Sequence, residues 1–179
     1  MIGLPEKIIA LHHALDAQAL PHAFGGALAL AWCTGRARGT IDIDVNVFVD
    51  AERAREVLGA LPASIAWDAD AAAELVKEGQ IRLWWEHTPI DVFLDTTDFH
   101  REAAQRVRRE AFLNERVPFL ACEDLAVFKA FFDRTKDWAD LEEMYAANTI
   151  EIDRVVAVIA RYLGADDTRV EKLLALSRS

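Results

Sequence analysis

Two hydrophobic rhythms divide the chain. Up to about residue 120, short apolar runs alternate with helical stretches; from Glu123 onward helical periodicity dominates. Leu4 to Leu20 reads as an amphipathic helix ended by Pro21. His22-Ala23-Phe24 reads as a short strand running into a Gly25-Gly26 turn, and Ala27 to Thr34 as a very apolar helix. Gly35 to Gly39 is a loop. Thr40 to Val49 then reads as a central strand, its near-continuous apolar character implying burial on most sides. Asp50 caps a helix through about Leu61, stopped by Pro62, and Ala69 to Glu78 forms another, closed by Gly79. Ile81 to His87 and Ile90 to Asp95 read as a hairpin turning at Thr88-Pro89. A basic helix is expected from Asp98 through Arg109, and a short edge segment at Val117 to Leu120.

The remaining helices are expected over Asp124–Arg134, Asp137–Ala147, Ile152–Leu163 and Asp167–Leu176, with breaks at Asn148-Thr149 and Gly164. There is no internal repeat and no low-complexity linker. The pattern predicts an α+β fold: a mixed β-sheet flanked by helices over residues 1–120, and a C-terminal helical bundle over residues 121–179 packed on that core.

Composition narrows this picture in three ways. Among 179 residues 53% are hydrophobic, enough for a sizeable core although many are alanines. A formal net charge of −10 argues against an extended nucleic-acid surface, since phosphate neutralisation carries most non-specific affinity; a local basic pocket remains compatible with it. No apolar run reaches membrane-spanning length, and the first residues lack a signal-peptide pattern, so the expectation is a cytoplasmic protein without membrane attachment. The two cysteines, Cys33 and Cys122, lie in apolar helical contexts without CxxC spacing and read as buried free thiols.

The candidate chemistry sits on the strands. Asp42 and Asp44 are spaced i, i+2, so they share one face while Ile41, Ile43 and Val45 take the other. Aspartate is depleted in strands and costly to bury, and two within Ile-Asp-Ile-Asp-Val make a hard-oxygen site suited to Mg²⁺ carrying a nucleoside triphosphate; the plainer reading is surface decoration. Asp91 interrupts a second apolar strand. If the two strands are neighbours, it adds a third carboxylate to hold metal and take the proton of an acceptor hydroxyl. Gly25-Gly26 opens a helix whose N-terminal N–H groups suit phosphate, or is an ordinary tight turn.

Arg36 and Arg38 precede the aspartate strand, within reach of a triphosphate or simply solvated. Lys129 and Lys136 are two helical turns apart, on one face unless the break near Thr135-Lys136 separates them. Each points its ammonium at a phosphate or pairs with Asp133 or Asp137. The arginines between Arg101 and Arg109 read as a solvated helix face, with an acceptor or RNA contact as the competing reading. Of Trp84 and Trp85 one is expected in the core, the other available for stacking; His12-His13 read as surface residues of the first helix.

The combination of Gly25-Gly26, a helix, Arg38-Gly-Thr40-Ile-Asp42-Ile-Asp44 on a strand, and a later lone Asp91 on a second strand resembles the DNA-polymerase-β-like nucleotidyltransferase superfamily. Its usual first motif is Gly-Gly or Gly-Ser followed by Asp-x-Asp or Asp-x-Glu. Glu123 to Lys129 with Arg134-Thr-Lys136-Asp137 … Asp140-Leu141 is similar to the helical half of bacterial abortive-infection-type nucleotidyltransferase toxins and of aminoglycoside and lincosamide nucleotidyltransferases. The resemblance covers Ala23 to Leu141. It implies Mg²⁺-dependent transfer of a nucleoside monophosphate from an NTP, such as ATP, to an acceptor hydroxyl on tRNA, protein or a small molecule, as a resistance-type enzyme or as a toxin with an antitoxin-like partner. Asp42, Asp44 and Asp91 would be the catalytic and metal-binding residues; Gly25, Gly26, Arg38, Thr40, Lys129 and Lys136 would bind the nucleotide. The rival readings are a catalytically silent nucleotide-binding or interaction module of the same fold, and a phosphohydrolase using the same carboxylates.

Overall fold

The computed structural model describes residues 2–37 and 39–178. The chain divides into two compact units, one built from the residues up to Leu28 and from Gly39 to Leu120, the other from the stretch beginning at Ala29 and the residues from Ala121 on.

The first unit is built on a six-stranded mixed sheet. In chain order come α1 (Leu4–Ala17), β1 (His22–Phe24), α2 (Gly26–Thr34, which runs across the boundary between units) and β2 (Ile43–Asp50). A 3-10 turn (Ala51–Arg53), α3 (Ala54–Ala60) and α4 (Ala69–Glu78) follow. Then come β3 (Gln80–Trp85), β4 (Thr88–Asp95), α5 (Asp98–Ala104), β5 (Arg108–Phe112) and β6 (Glu115–Phe119). The strand order is β3-β4-β2-β1-β6-β5; β2 runs parallel to β4 and β1 parallel to β6, while the other neighbours are antiparallel. Ile43, Val45, Val47, Ile90, Val92, Leu94 and Phe24 are almost fully buried, which explains the apolar character of these strands. Helix α4 starts where the Asp68 carboxylate accepts the Ala71 amide and stops at Gly79 in the left-handed region (φ 68°).

Several sequence expectations are corrected here. The hairpin turns at Glu86-His87 instead of Thr88-Pro89, and Pro89 lies within β4 opposite Trp84. The reason is a buried lysine: Lys7 of α1 donates to the Trp85 carbonyl (2.9 Å), the Glu86 carboxylate (3.0 Å) and the Thr88 hydroxyl (3.0 Å), satisfying all three ammonium hydrogens around that turn. The basic helix ends at Ala104, and Arg108 to Phe112 is instead the edge strand β5. β6 is therefore interior, paired with β5 and β1. Arg-Arg-Glu-Ala reads as helix by local propensity, but the tight turn at Leu113 (φ 53°) and Asn114 folds it back as a strand.

His12 is buried rather than on the surface. Its Nδ1 lies 2.9 Å from His22 Nε2, while His22 Nδ1 donates to the Leu20 carbonyl at 2.7 Å. That geometry is complete when both rings are neutral: His22 donates through Nδ1 and accepts at Nε2 from His12. Burial lowers both pKa values from 6.5, that of His22 to about 4; Asp16 and Glu115 oppose the shift of His12, and Arg109 and His13 add to it. Below pH 6.5 the unfolded chain takes up protons that native His22 refuses, so stability is full above that value and falls as the pH drops toward about 4. His22 alone is expected to contribute a loss of about 2 kcal/mol to urea-unfolding stability between neutral pH and about pH 5. His100, also lowered by burial to about 4, adds to it, and Asp95, raised by burial to about 6, opposes it. His22→Gln should reduce the dependence by that share; an unchanged slope would assign it to the other groups.

The second unit contains α6 (Cys122–Phe132), α7 (Thr135–Ala146), α8 (Ile152–Leu163) and α9 (Thr168–Leu176), which carry the buried Leu125, Ala130, Leu141, Met144, Val155, Ile159 and Leu173. The cysteines are not free thiols. Cys33 near the end of α2 and Cys122 at the start of α6 form a disulfide, with Cα atoms 5.6 Å apart. Two cysteines 89 residues apart carry no local signal of pairing, so only the tertiary fold reveals it. No helix among the described residues is long and apolar enough to cross a membrane.

Candidate active site

The site is a consequence of register. The parallel pairing of β2 with β4 sets Asp44 opposite Asp91, and the antiparallel pairing of β3 with β4 sets Arg82 opposite Asp91. Directly paired residues share a face, so Arg82, Asp91 and Asp44 form one row across three strands. On the other side of β2 the row continues to the Gly25-Gly26 turn, whose Gly25 amide donates to the Asp44 carbonyl at 2.9 Å. Asp42, two residues before Asp44, lies just ahead of β2. The Thr40 hydroxyl accepts its amide at 3.2 Å and donates back to its carbonyl at 3.4 Å, turning the chain into the strand.

Arg82 sits at the centre of this carboxylate set. Its Nε and Nη2 donate to the two oxygens of Asp91 at 2.7 and 2.6 Å, and Nη2 lies 4.0 Å from Asp42 Oδ2. The two-pronged bond and charge of Asp91, with smaller contributions from Asp42 and Asp44, raise the guanidinium pKa above its ordinary value. Sequence reading missed Arg82. Its signal was the alternation of β3, in which Ile81, Leu83 and Trp85 are buried while Gln80, Arg82 and Trp84 are exposed, placing the arginine on the face of Asp91. Trp85 is thus the core tryptophan and Trp84 the exposed one. Beside Arg82 opens a groove of about 410 Å³, lined among others by Trp67, Asp68, Ala71, Arg82 and Trp84.

Gly26 has φ +54°, and a Cβ there would stand 1.8 Å from Asp44 Oδ2. The Asp44 carboxylate therefore lies directly against the turn, and the serine that the related first motif also takes would collide with it. Gly25 is less constrained: a Cβ would meet Asn46 and Leu120 at 3.2 Å. Its amide is already bonded to the Asp44 carbonyl, and Gly26 then opens α2.

The other nucleotide-binding candidates stand apart in kind. Arg38 lies outside the described residues, and Arg36 is exposed. Lys129 is buried in the second unit, donating to Asp140 at 2.6 Å with Asp137 at 3.7 Å, and Arg134 in turn donates to Asp137 at 2.6 Å. Lys136 is exposed on α7, separated from α6 by Asp133 in the left-handed region (φ 54°), so the two lysines do not share a helix face. Among the arginines of residues 101–109, Arg101 on α5 pairs with Asp98 and Arg108 on β5 with Glu110 (2.7 Å), so they do not form the single helix face expected.

Among the described residues no group of three or more His, Cys, Asp or Glu side chains is arranged to hold a metal ion, and the Asp91 carboxylate is instead taken up by Arg82. No protein-family model matches the chain, and no curated protein matches it by sequence. Comparison of folds gives a different result. The crystal structure of ANT(2″)-Ia in complex with adenylyl-2″-tobramycin superposes with a TM-score of 0.60 at 17% identity, covering 88% of this chain and 95% of that one. The solution structure of the antibiotic-resistance factor ANT(2″)-Ia gives a TM-score of 0.55 at 18% identity, covering 97% of this chain and 90% of that one. The chain has the nucleotidyltransferase fold. An antigenic nucleotidyltransferase-like protein from Paracoccidioides brasiliensis is a more distant match, with a TM-score of 0.49 at 13% identity and coverage of 93% and 92%. Within the nucleotidyltransferase fold of this chain, the row from Arg82 to Gly26 is where acidic side chains, an arginine and a glycine turn come together.

Proposed function

We propose that the protein is a Mg²⁺-dependent nucleotidyltransferase that moves a nucleoside monophosphate from an NTP to an acceptor hydroxyl. The observation that carries this reading is the convergence of Asp42, Asp44 and Asp91 about one guanidinium on a sheet face that ends at the Gly25-Gly26 turn. The fold similarity supports transfer of a nucleotide as the reaction class.

The donor set suits a hard cation, being carboxylate oxygen throughout. Asp42, Asp44 and Asp91 would hold Mg²⁺, which when bound neutralises triphosphate charge and polarises the α-phosphoryl group. The chain's own groups supply the rest. Gly26, against whose Cα the Asp44 carboxylate packs, and the opening turn of α2 would offer backbone N–H groups to the triphosphate beside that carboxylate. Thr40 fixes the backbone that presents Asp42. Asp91 accepts the proton of the acceptor hydroxyl as its oxygen bonds to the α-phosphorus; the bond to the bridging oxygen breaks and pyrophosphate leaves with that electron pair. Lys129, already paired with Asp140, acts through the fold of its own helices in this reading, while Lys136 is accessible to a phosphate.

ANT(2″)-Ia is seen with an adenylylated small molecule, which makes ATP the first donor to try and small molecules the first acceptor class. A toxin role, with an antitoxin-like partner, is the reading if RNA or protein is the acceptor instead.

The test is transfer of label from each α-³²P NTP, with Mg²⁺, into cell extract separated into protein, RNA and small-molecule fractions. Wild type is expected to label one fraction, and Asp44→Asn to lose about a thousandfold of that transfer while keeping its circular dichroism spectrum. Undiminished transfer by Asp44→Asn removes the mechanism. Tight NTP binding without label in any fraction marks a silent binding module.

A further inference from the structure

Resting on the nucleotidyltransferase reading, we propose that Arg82 is a built-in placeholder for the metal: its guanidinium occupies the carboxylate set before the nucleotide arrives and must release Asp91 when a divalent cation binds. Arg82 is thereby a positioning residue that sets how readily the site accepts its metal.

Three observations lead here. First, the contact is a full two-pronged one, so each oxygen of Asp91 already accepts a charged N–H at 2.6–2.7 Å, the spacing of a strong charge-assisted bond. Second, the same guanidinium lies 4.0 Å from Asp42 and interacts electrostatically with Asp44, so one positive charge acts on all three carboxylates. Like charges on neighbouring strands repel, and a cation beside them eases that repulsion. Third, Arg82 has somewhere to go. It stands on β3 at the edge of the sheet, its side chain is 52% exposed, and it lines the groove beside Trp67 and Trp84. An arginine leaving the carboxylates can remain over an aromatic surface there, close to the incoming substrate. Asp91 itself is only 17% exposed, so while the fork is closed Arg82 holds both of its oxygens.

The consequence is competition. A divalent cation binding at this face displaces Arg82 from Asp91, and part of its binding energy goes into breaking the fork. Removing the arginine should therefore strengthen metal binding even though it removes no metal ligand. The lysine variant separates fork from charge, because its single ammonium cannot hold both carboxylate oxygens.

Binding of Mn²⁺ to the intact protein, followed by the electron paramagnetic resonance signal of the free ion, tests this without reference to turnover. Arg82→Ala is expected to bind Mn²⁺ about tenfold more tightly than wild type, and Arg82→Lys to bind more tightly as well, by less. In an Asp91→Asn background, Arg82→Ala should add little, since the fork is already gone. Unchanged or weaker Mn²⁺ binding by Arg82→Ala overturns the proposal, and so does an Arg82→Lys protein indistinguishable from wild type. If Asp44→Asn binds Mn²⁺ as well as wild type does, the carboxylate metal site itself fails and this inference falls with it. Wild-type binding that depends on Asp44 but ignores Arg82 defeats the placeholder role alone.

Discussion

Gly26→Ala is expected to abolish nucleotidyl transfer while leaving a folded protein. The backbone there has φ +54°, where an L-residue costs about 1–2 kcal/mol, and the new Cβ would stand 1.8 Å from Asp44 Oδ2. The flexible partner gives way: Asp44 must swing off the turn, and the carboxylate leaves the row that the strands assemble. The expected loss of transfer matches that of Asp44→Asn, about a thousandfold. Thermal unfolding should fall by only a few degrees, since about 1 kcal/mol shifts Tm by about 2–4 °C in a chain of this size. Gly25→Ala is the companion measurement. Its Cβ would press on Asn46 and Leu120 at 3.2 Å and reach the Asp44 Cβ only at 3.8 Å, so it should cost stability more than transfer. Full transfer by Gly26→Ala would show that Asp44 does not work from the position seen here.

Reduction of the Cys33–Cys122 disulfide carries the largest expected stability effect. The bond joins residues 89 apart, and closing a loop of that length removes unfolded-state entropy worth about 4–5 kcal/mol in the chain-entropy account. Set against a typical net stability of about 5–15 kcal/mol, this is a large share. Urea unfolding with and without dithiothreitol should show the shift, and the Cys33→Ser, Cys122→Ser protein should unfold at the reduced midpoint regardless of reductant. Coincident curves for the oxidised and reduced wild type would show that the bond contributes little. Disulfides are rare in reducing compartments, so the same measurement in a glutathione buffer at cytosolic poise bears on the cytoplasmic expectation.

Much of the fold was readable along the chain because local signals agreed with it. Asp68 and Gly79 bracket α4, Ile152–Leu163 has clean helical periodicity, and the apolar run before Asp50 could only be an interior strand. The misreadings fall where a distant partner overrides local preference. Lys7 decides where the hairpin turns, and pairing with β6 makes Arg108–Phe112 a strand. His12 is buried because His22 meets it across the fold, and Cys33 finds Cys122 only in three dimensions. The carboxylates of the candidate site were visible because aspartate is conspicuous in an apolar strand. Arg82 was not, because arginine on the outer face of an edge strand looks ordinary until the register sets it against Asp91. The two lysines read from helical spacing show the limit of that method: a turn at Asp133 places them on different helices.

The position of the disulfide along the chain also orders events during synthesis. Cys122 follows the end of β6 by three residues, so the covalent ring cannot close until every strand of the sheet has been translated. Asp42, Asp44, Arg82 and Asp91 all lie inside that ring, while the Gly25-Gly26 turn lies outside it. A ribosome stalled or a chain cut before Cys122 leaves Cys33 as a thiol without its mate, open to wrong partners on other chains. Oxidation thus marks the chains that have been made through the last strand, and a thiol-reactive reagent would distinguish them from truncated ones.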